Sequence, residues 1–245
     1  MIDHLNPAGK LRKVSFTFID ALNDFLPHYR QGTTFTIECE AHQTIKHLIE
    51  SLGVPHTEVG RLLVNGHSAL PSDRLQQGDY VQVSPADWLI QGEPRFILDN
   101  HLGQLAIYLR MLGFDSLYRN DYQDEELAKI SSEQGRVLLS RDRRLLMRKA
   151  IRHGYCIHQI DPRQQAVEVL RRFKLLGQVK PFQRCLRCNT PLEAVSKQEI
   201  IDRLEPLTRI YYDEFHLCPA CNQIYWKGSH YGHMLEMITA LENQA

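Results

Sequence analysis

The chain has 245 residues, 43% of them hydrophobic and 24% charged, with a formal net charge of zero. That balance fits a globular protein with apolar material for one large core or two smaller ones, and neutrality excludes neither nucleic-acid nor protein partners. No run of about 18 apolar residues occurs and MIDHLNPAGKLRK lacks a secretory h-region, so a cytoplasmic protein with no membrane partner is expected.

Residues 14–19 alternate as a strand, and 33–39 contain a second, FTIEC, rich in β-branched and aromatic types. TIKHLIESL (44–52) places Ile45, Leu48, Ile49 and Leu52 on one helical face, and Gly53 marks its end. RLLVNG (61–66) is a strand running into an Asn-Gly turn, and DYVQVSP (79–85) is a last strand. This order is that of an α+β β-grasp, ubiquitin-like domain, assigned to 1–90. Gln91-Gly92-Glu93-Pro94 reads as a linker.

From there strands and helices alternate: strand 95–99, helix 101–113, strand 114–118, helix 124–134 and strand 136–140. A helix running from Asp142 to Gly154, a strand 155–160 and a helix 163–177 follow. Such alternation predicts an α/β parallel sheet covered by helices, assigned to 94–180. The remainder, 181–245, is organised around cysteines and closes with a short helix, 234–242.

In an open parallel sheet, ligands bind beyond the carboxyl ends of the strands. Asp99 ends a strand, Asp124 and Glu125 open the helix after the next strand, Asp142 follows RVLLS, and Asp161 follows YCIHQI. Carboxylates gathered at one edge repel one another unless a cation sits among them, and oxygen ligands suit Mg²⁺ or Mn²⁺. Each acid also suits a plain helix cap, so pattern alone leaves both readings open. Arg141 and Arg143 flank Asp142 and would suit a phosphate backbone.

Between 163 and 187 the basic residues Arg163, Arg171, Arg172, Lys174, Lys180, Arg184 and Arg187 face one acid, Glu168. This stretch is either a solvated helix face with a linker or a phosphate-contacting surface. Cys185-x-x-Cys188 and Cys218-x-x-Cys221 form two knuckles, and four thiolates complete a tetrahedral zinc site. Cys39 and Cys156 read as core thiols. Tyr225 and Trp226, in YWKGSHYGH, either stack on bases or pack the zinc module in place.

The segments LNDFLP (22–27), KHLIESLGVPHTEV (46–59), LVNG (63–66), LGQLAIYLRMLGFD (102–115), DEEL (124–127), RVLLSRDRRL (136–145), both knuckles and YWKGSH (225–230) together resemble a known family. Its proteins join an N-terminal ubiquitin-like domain to the C-terminal RNase domain named after the mut-seven exonuclease. The resemblance implies a PIN-like nuclease fold with a zinc ribbon and metal-dependent hydrolysis of RNA. Its acidic positions map onto Asp99, Asp124 and Asp142, with Glu125 as a helper. Asn100 and Gln123 stand where related proteins often carry acids, which leaves one metal ion or two open.

The expected function is a metal-dependent ribonuclease. Zn²⁺ is structural, Mg²⁺ or Mn²⁺ is catalytic, and Arg141, Arg143, Arg171, Arg172, Lys174, Tyr225 and Trp226 contact RNA. tRNA, rRNA and ribosome-associated RNA are all candidate substrates. The incomplete acid set motivates an alternative, an RNA- or ribosome-associated binding protein with a weakened site. A sulfur-carrier role for the first domain is disfavoured because no free Gly-Gly terminus follows its last strand, so a module that docks a protein partner or RNA is expected instead.

Overall fold

The computed structural model describes residues 11–87, 90 and 92–244; the N-terminal stretch and Gln91 of the expected linker lie outside them. The elements run β1 (Arg12–Phe18), β2 (Phe35–Cys39), α1 (Ile45–Ser51), β3 (Val59–Val64), β4 (His67–Ser68) and β5 (Tyr80–Pro85). Then come β6 (Arg95–Leu98), α2 (Gly103–Met111), β7 (Asp115–Leu117), α3 (Asp124–Gln134), β8 (Val137–Ser140), α4 (Arg143–Leu146), β9 (Gly154–Cys156) and α5 (Pro162–Arg172). Last are β10 (Glu193–Val195), α6 (Lys197–Ile200), α7 (Pro206–Tyr211), β11 (Phe215–Leu217), β12 (Ile224–Trp226) and α8 (Ser229–Gln244). They group into two compact units: the described part of Met1–Trp88 with Asp142–Cys156, and the described part of Leu89–Arg141 with that of Ile157–Ala245.

In the first unit the sheet order is β2-β1-β5-β3-β4, with β1 and β5 parallel at its centre and the other pairs antiparallel. The Thr44 side chain caps α1 by accepting from the His47 amide at 3.2 Å. The helix buries Ile45, Leu48 and Ile49, the face its spacing predicts, in a core that includes Phe16, Val81 and Val83. Asn65 and Gly66 both take positive φ, as a tight two-residue hairpin turn requires. This is a ubiquitin-like, β-grasp arrangement.

Helix α8 starts earlier than the short 234–242 helix expected from sequence, and one other segment departs further from expectation. The helix expected from Asp142 to Gly154 is a single turn, α4. Ile151 is fully buried and its carbonyl accepts from His56 Nε2 at 3.0 Å. A continuing helix would commit that carbonyl to the amide four residues on. The expected strand 155–160 is likewise shorter, Gly154–Cys156.

In the second unit β6 lies between β7 and β8, all parallel. Phe96, Ile97 and Leu98 with Leu138 and Leu139 are wholly buried, the two-faced burial expected of parallel strands. Phe96 meets Phe173, just beyond α5, at 5.7 Å between ring centroids, and Phe114 edge-on at 6.4 Å. Helix α5 ends at Arg172, and Lys174 takes a positive φ. A separate antiparallel sheet, β10-β11-β12, has its own small core of Ile200, Leu204, Phe215 and Ile224.

Gly113 packs against the chain that leads from α5 towards the antiparallel sheet. Its φ is +95°, and a Cβ there would lie 2.2 Å from the Lys180 carbonyl oxygen. The Lys180 amide donates to the Leu112 carbonyl at 2.9 Å, so the two backbones touch directly. Gly113→Ala adds a clash to an unfavourable backbone conformation and is expected to cost more than about 2 kcal/mol. Thermal unfolding followed by circular dichroism should show a midpoint several degrees lower, and an unchanged midpoint would contradict this packing.

Candidate functional site

Asp99 follows β6 and is 3% exposed. One carboxylate oxygen accepts from the His101 amide at 2.8 Å, and the other accepts a short hydrogen bond from the Ser140 hydroxyl at the end of β8. The acid is thus both a helix cap and a side chain held at both oxygens at the carboxyl edge of the sheet. Asp124 and Glu125 are exposed on the first turn of α3, whose preceding residue Gln123 makes no side-chain cap. Asp161 caps α5, accepting from the Arg163 and Gln164 amides at 3.0 Å each.

Asp142 belongs to the first unit. It caps α4, accepting from the Arg144 amide at 2.7 Å. Arg143 donates to the Phe25 carbonyl at 2.9 Å and stands over the Phe25 ring at 4.9 Å, so its guanidinium is engaged within that unit. Within neither unit, among the described residues, do three His, Cys, Asp or Glu side chains other than the four cysteines converge closely enough to hold an ion.

Beside Asp99 the second unit opens a cleft of about 730 Å³, lined by His101, Gln104, Arg110, Tyr118, Arg141 and Arg187 among others. Tyr118 donates to the Asn100 carbonyl at 3.0 Å. Gly103 allows this, since a Cβ there would lie 2.7 Å from the Tyr118 hydroxyl. Arg141 is exposed at the cleft. On α5, Arg171 donates to the Gln244 carbonyl, Arg172 stands over the Phe173 ring at 5.6 Å, and Lys174 is exposed just past the helix end.

The four cysteine sulfurs lie within 4.8 Å of one another. Cys185 and Cys221 are 3.5 Å apart and Cys188 and Cys218 3.3 Å, near the roughly 3.8 Å between sulfurs around tetrahedral zinc. The two knuckles repeat one backbone pattern. The amides of Asn189 and Asn222 donate to Cys185 and Cys218 carbonyls at 2.9 Å, and both asparagines take positive φ. Asparagine tolerates that conformation, which is why Asn follows each Cys-x-x-Cys. Burial raises the Cys188 thiol, but hydrogen bonds with Thr190, Cys218 and Cys185 outweigh it and bring it down to about 6. Cys221 is pushed up to about 12, first by burial. Four sulfurs this close together could hold a metal ion, which takes its cysteine ligands as thiolates.

Tyr225 and Trp226 both line a second cleft, of about 630 Å³. The Tyr225 hydroxyl accepts from the Leu186 amide at 3.0 Å and lies 3.2 Å from the Cys185 sulfur, so it secures the first knuckle. Trp226 packs against Phe215 at 6.5 Å between centroids, on the ribbon core.

Sequence reasoning missed what holds that knuckle. Asp115 on β7 accepts two bonds from Arg136, at 2.7 and 3.1 Å, and one from Asn189 at 2.7 Å, with Arg184 at 3.7 Å. Asn189 also accepts from the Ser116 amide at 2.9 Å. Arg110, 3% exposed, donates to the carbonyls of Ser116, Leu186 and Arg187. The available signals were an arginine inside the apolar run LAIYLRMLG and another directly before the strand VLLS.

A family model described as the Mut7-C RNAse domain matches residues 94–238, and one described as Mut7-C ubiquitin matches residues 11–90. No curated protein and no solved structure matches the chain.

Burial raises the Asp115 carboxyl, but hydrogen bonds from Arg136 and Asn189 and the charges of Arg136 and Arg184 outweigh it and hold it below the ordinary 3.8. A carboxyl depressed in the folded state stabilises above its unfolded value, and that contribution fades as pH falls through the folded one. Asp115→Asn should therefore cost roughly 3 kcal/mol at neutral pH, because Arg136 is left without its counter-charge. In denaturant titrations the gap between Asp115→Asn and wild type should narrow below pH 3.8; a gap that stays constant with pH would refute the assignment.

Proposed function

The chain belongs to the Mut7-C RNase domain family, with a Mut7-C ubiquitin domain ahead of it, and from that premise we propose a metal-dependent ribonuclease. In this reading Asp99, Asp124 and Asp142, assisted by Glu125, hold Mg²⁺ or Mn²⁺, and the four cysteines hold structural Zn²⁺.

The observation that supports it best is Asp99. A buried carboxylate is costly unless it is hydrogen-bonded or paired with a cation. Its two hydrogen bonds leave lone pairs free, since a carboxylate offers about four acceptor sites. The proposed donors are all hard oxygens, which suits Mg²⁺ or Mn²⁺. When bound, such an ion supplies an activated water and neutralises charge developing on the phosphate.

The rest is the work of the chain's own side chains. We assign Arg141, on the cleft that His101 also lines, to a phosphate of the RNA backbone, with Arg110 and Arg187 adding positive charge to the same cleft. Arg171, Arg172 and Lys174 extend the basic surface along α5. We assign Arg143 to its contact with Phe25, and Tyr225 and Trp226 first to the ribbon, where the aromatic wall of their cleft would suit a stacked base.

A second reading is an RNA- or ribosome-associated binding protein with a weakened site. It is favoured by Asn100 and Gln123 and by the absence of a third converging acid within either unit among the described residues.

Cleavage of a labelled RNA panel with Mn²⁺, and its loss with EDTA, separates the two. Asp99→Asn and Asp142→Asn are each expected to lower turnover at least about 100-fold. Micromolar RNA binding by the wild type without turnover would establish the second reading instead. Elemental analysis should find roughly one zinc per chain, lost in Cys188→Ser.

A further inference from the structure

We propose that the ubiquitin-like unit is an internal scaffold for residues 142–156, and that Glu58 is the positioning residue that holds them. Three anchors, all inside the first unit, carry this. At the start of the segment, Arg143 donates to the Phe25 carbonyl and lies over its ring. In the middle, His56 Nε2 donates to the Ile151 carbonyl at 3.0 Å. At the end, Glu58 Oε1 accepts from the Cys156 amide at 2.6 Å.

Glu58 is the informative member. It is 5% exposed, on the short turn His56–Glu58 ahead of β3, and its carbonyl accepts from the Ala86 amide at 2.7 Å, just past β5. A buried carboxylate is retained at a desolvation cost, so a hydrogen bond from a backbone amide is a specific use of its charge. Leu145, Leu146, Ile151, Tyr155 and Cys156 are buried, and a Cβ at Gly154 would lie 3.4 Å from the Thr57 side chain, so the segment packs on the turn that carries Glu58 as well as bonding to it. The match to the RNase-domain model, 94–238, spans these residues, yet they cluster with the ubiquitin-like unit. Asp142 immediately precedes Arg143, so this scaffold sets the backbone that carries it. The first unit thereby carries a stretch that the RNase-domain match includes.

Native-state amide exchange on the full chain tests this without reference to activity. Across a denaturant series, peptides from 143–156 should open together with those of 12–87 and apart from those of 95–140. Glu58→Ala should speed exchange in 143–156 at least tenfold, and Glu58→Gln, which keeps an acceptor oxygen, should restore most of the protection. If Glu58→Ala unfolds the whole ubiquitin-like unit, loss of protection in 143–156 with retention in 95–140 supports the scaffold. Protection of 143–156 that persists when 12–87 opens overturns it.

A kinetic consequence rests on the proposed ribonuclease reading. Glu58→Ala should lower kcat for RNA cleavage at least tenfold with KM within twofold of wild type, and Glu58→Gln should recover it. Normal kcat in a variant whose 143–156 segment exchanges freely would remove the positioning role. A wild type without cleavage would remove the ribonuclease reading and leave the exchange result standing.

Discussion

One part-buried carboxylate, Asp115, ties the second unit together. It sits on β7 of the parallel sheet and receives Arg136 from just before β8, on the far side of β6, and Asn189 from the first cysteine knuckle. Asn189 therefore does two things at once. Its backbone supplies the left-handed turn of the knuckle, and its side chain docks that knuckle on Asp115 and the Ser116 amide. Arg110 closes the same joint from α2 by donating to knuckle carbonyls. A buried ion pair adds little net stability over an apolar substitute, because desolvation offsets attraction. What it does supply is a single docking geometry, since an unpaired arginine or carboxylate in that position is strongly disfavoured.

The acids at the carboxyl edge show why a cap and a metal ligand are hard to separate from pattern. Asp99, Asp142 and Asp161 all accept from backbone amides two residues on, as capping residues do. Asp99 differs in its burial and in the second bond from Ser140. A cap alone does not need a buried carboxylate held at both oxygens, and this distinction exists only in three dimensions.

The arginines divide in the same way. Arg141 is exposed at the cleft, whereas Arg143, two residues on, is committed to Phe25. In sequence the two are symmetric neighbours of Asp142. A backbone carbonyl 118 residues away decides between them.

The amino-acid sequence by itself determined most of the local architecture. Helix α3 falls on the residues its periodicity marks, α1 buries its apolar face, and each Cys-x-x-Cys closes its own turn on the following asparagine. These features depend on nearest-neighbour backbone geometry and on side chains a few positions apart, which a linear pattern records. Tertiary structure decided what depends on distant partners. It cut the helix after Asp142 to one turn, because Ile151 meets His56 and Cys156 meets Glu58. It also placed 142–156 with the first unit and built the Asp115 joint from residues up to 77 positions apart. No periodicity encodes such contacts, because each is a hydrogen bond between groups that become neighbours only when the chain has folded.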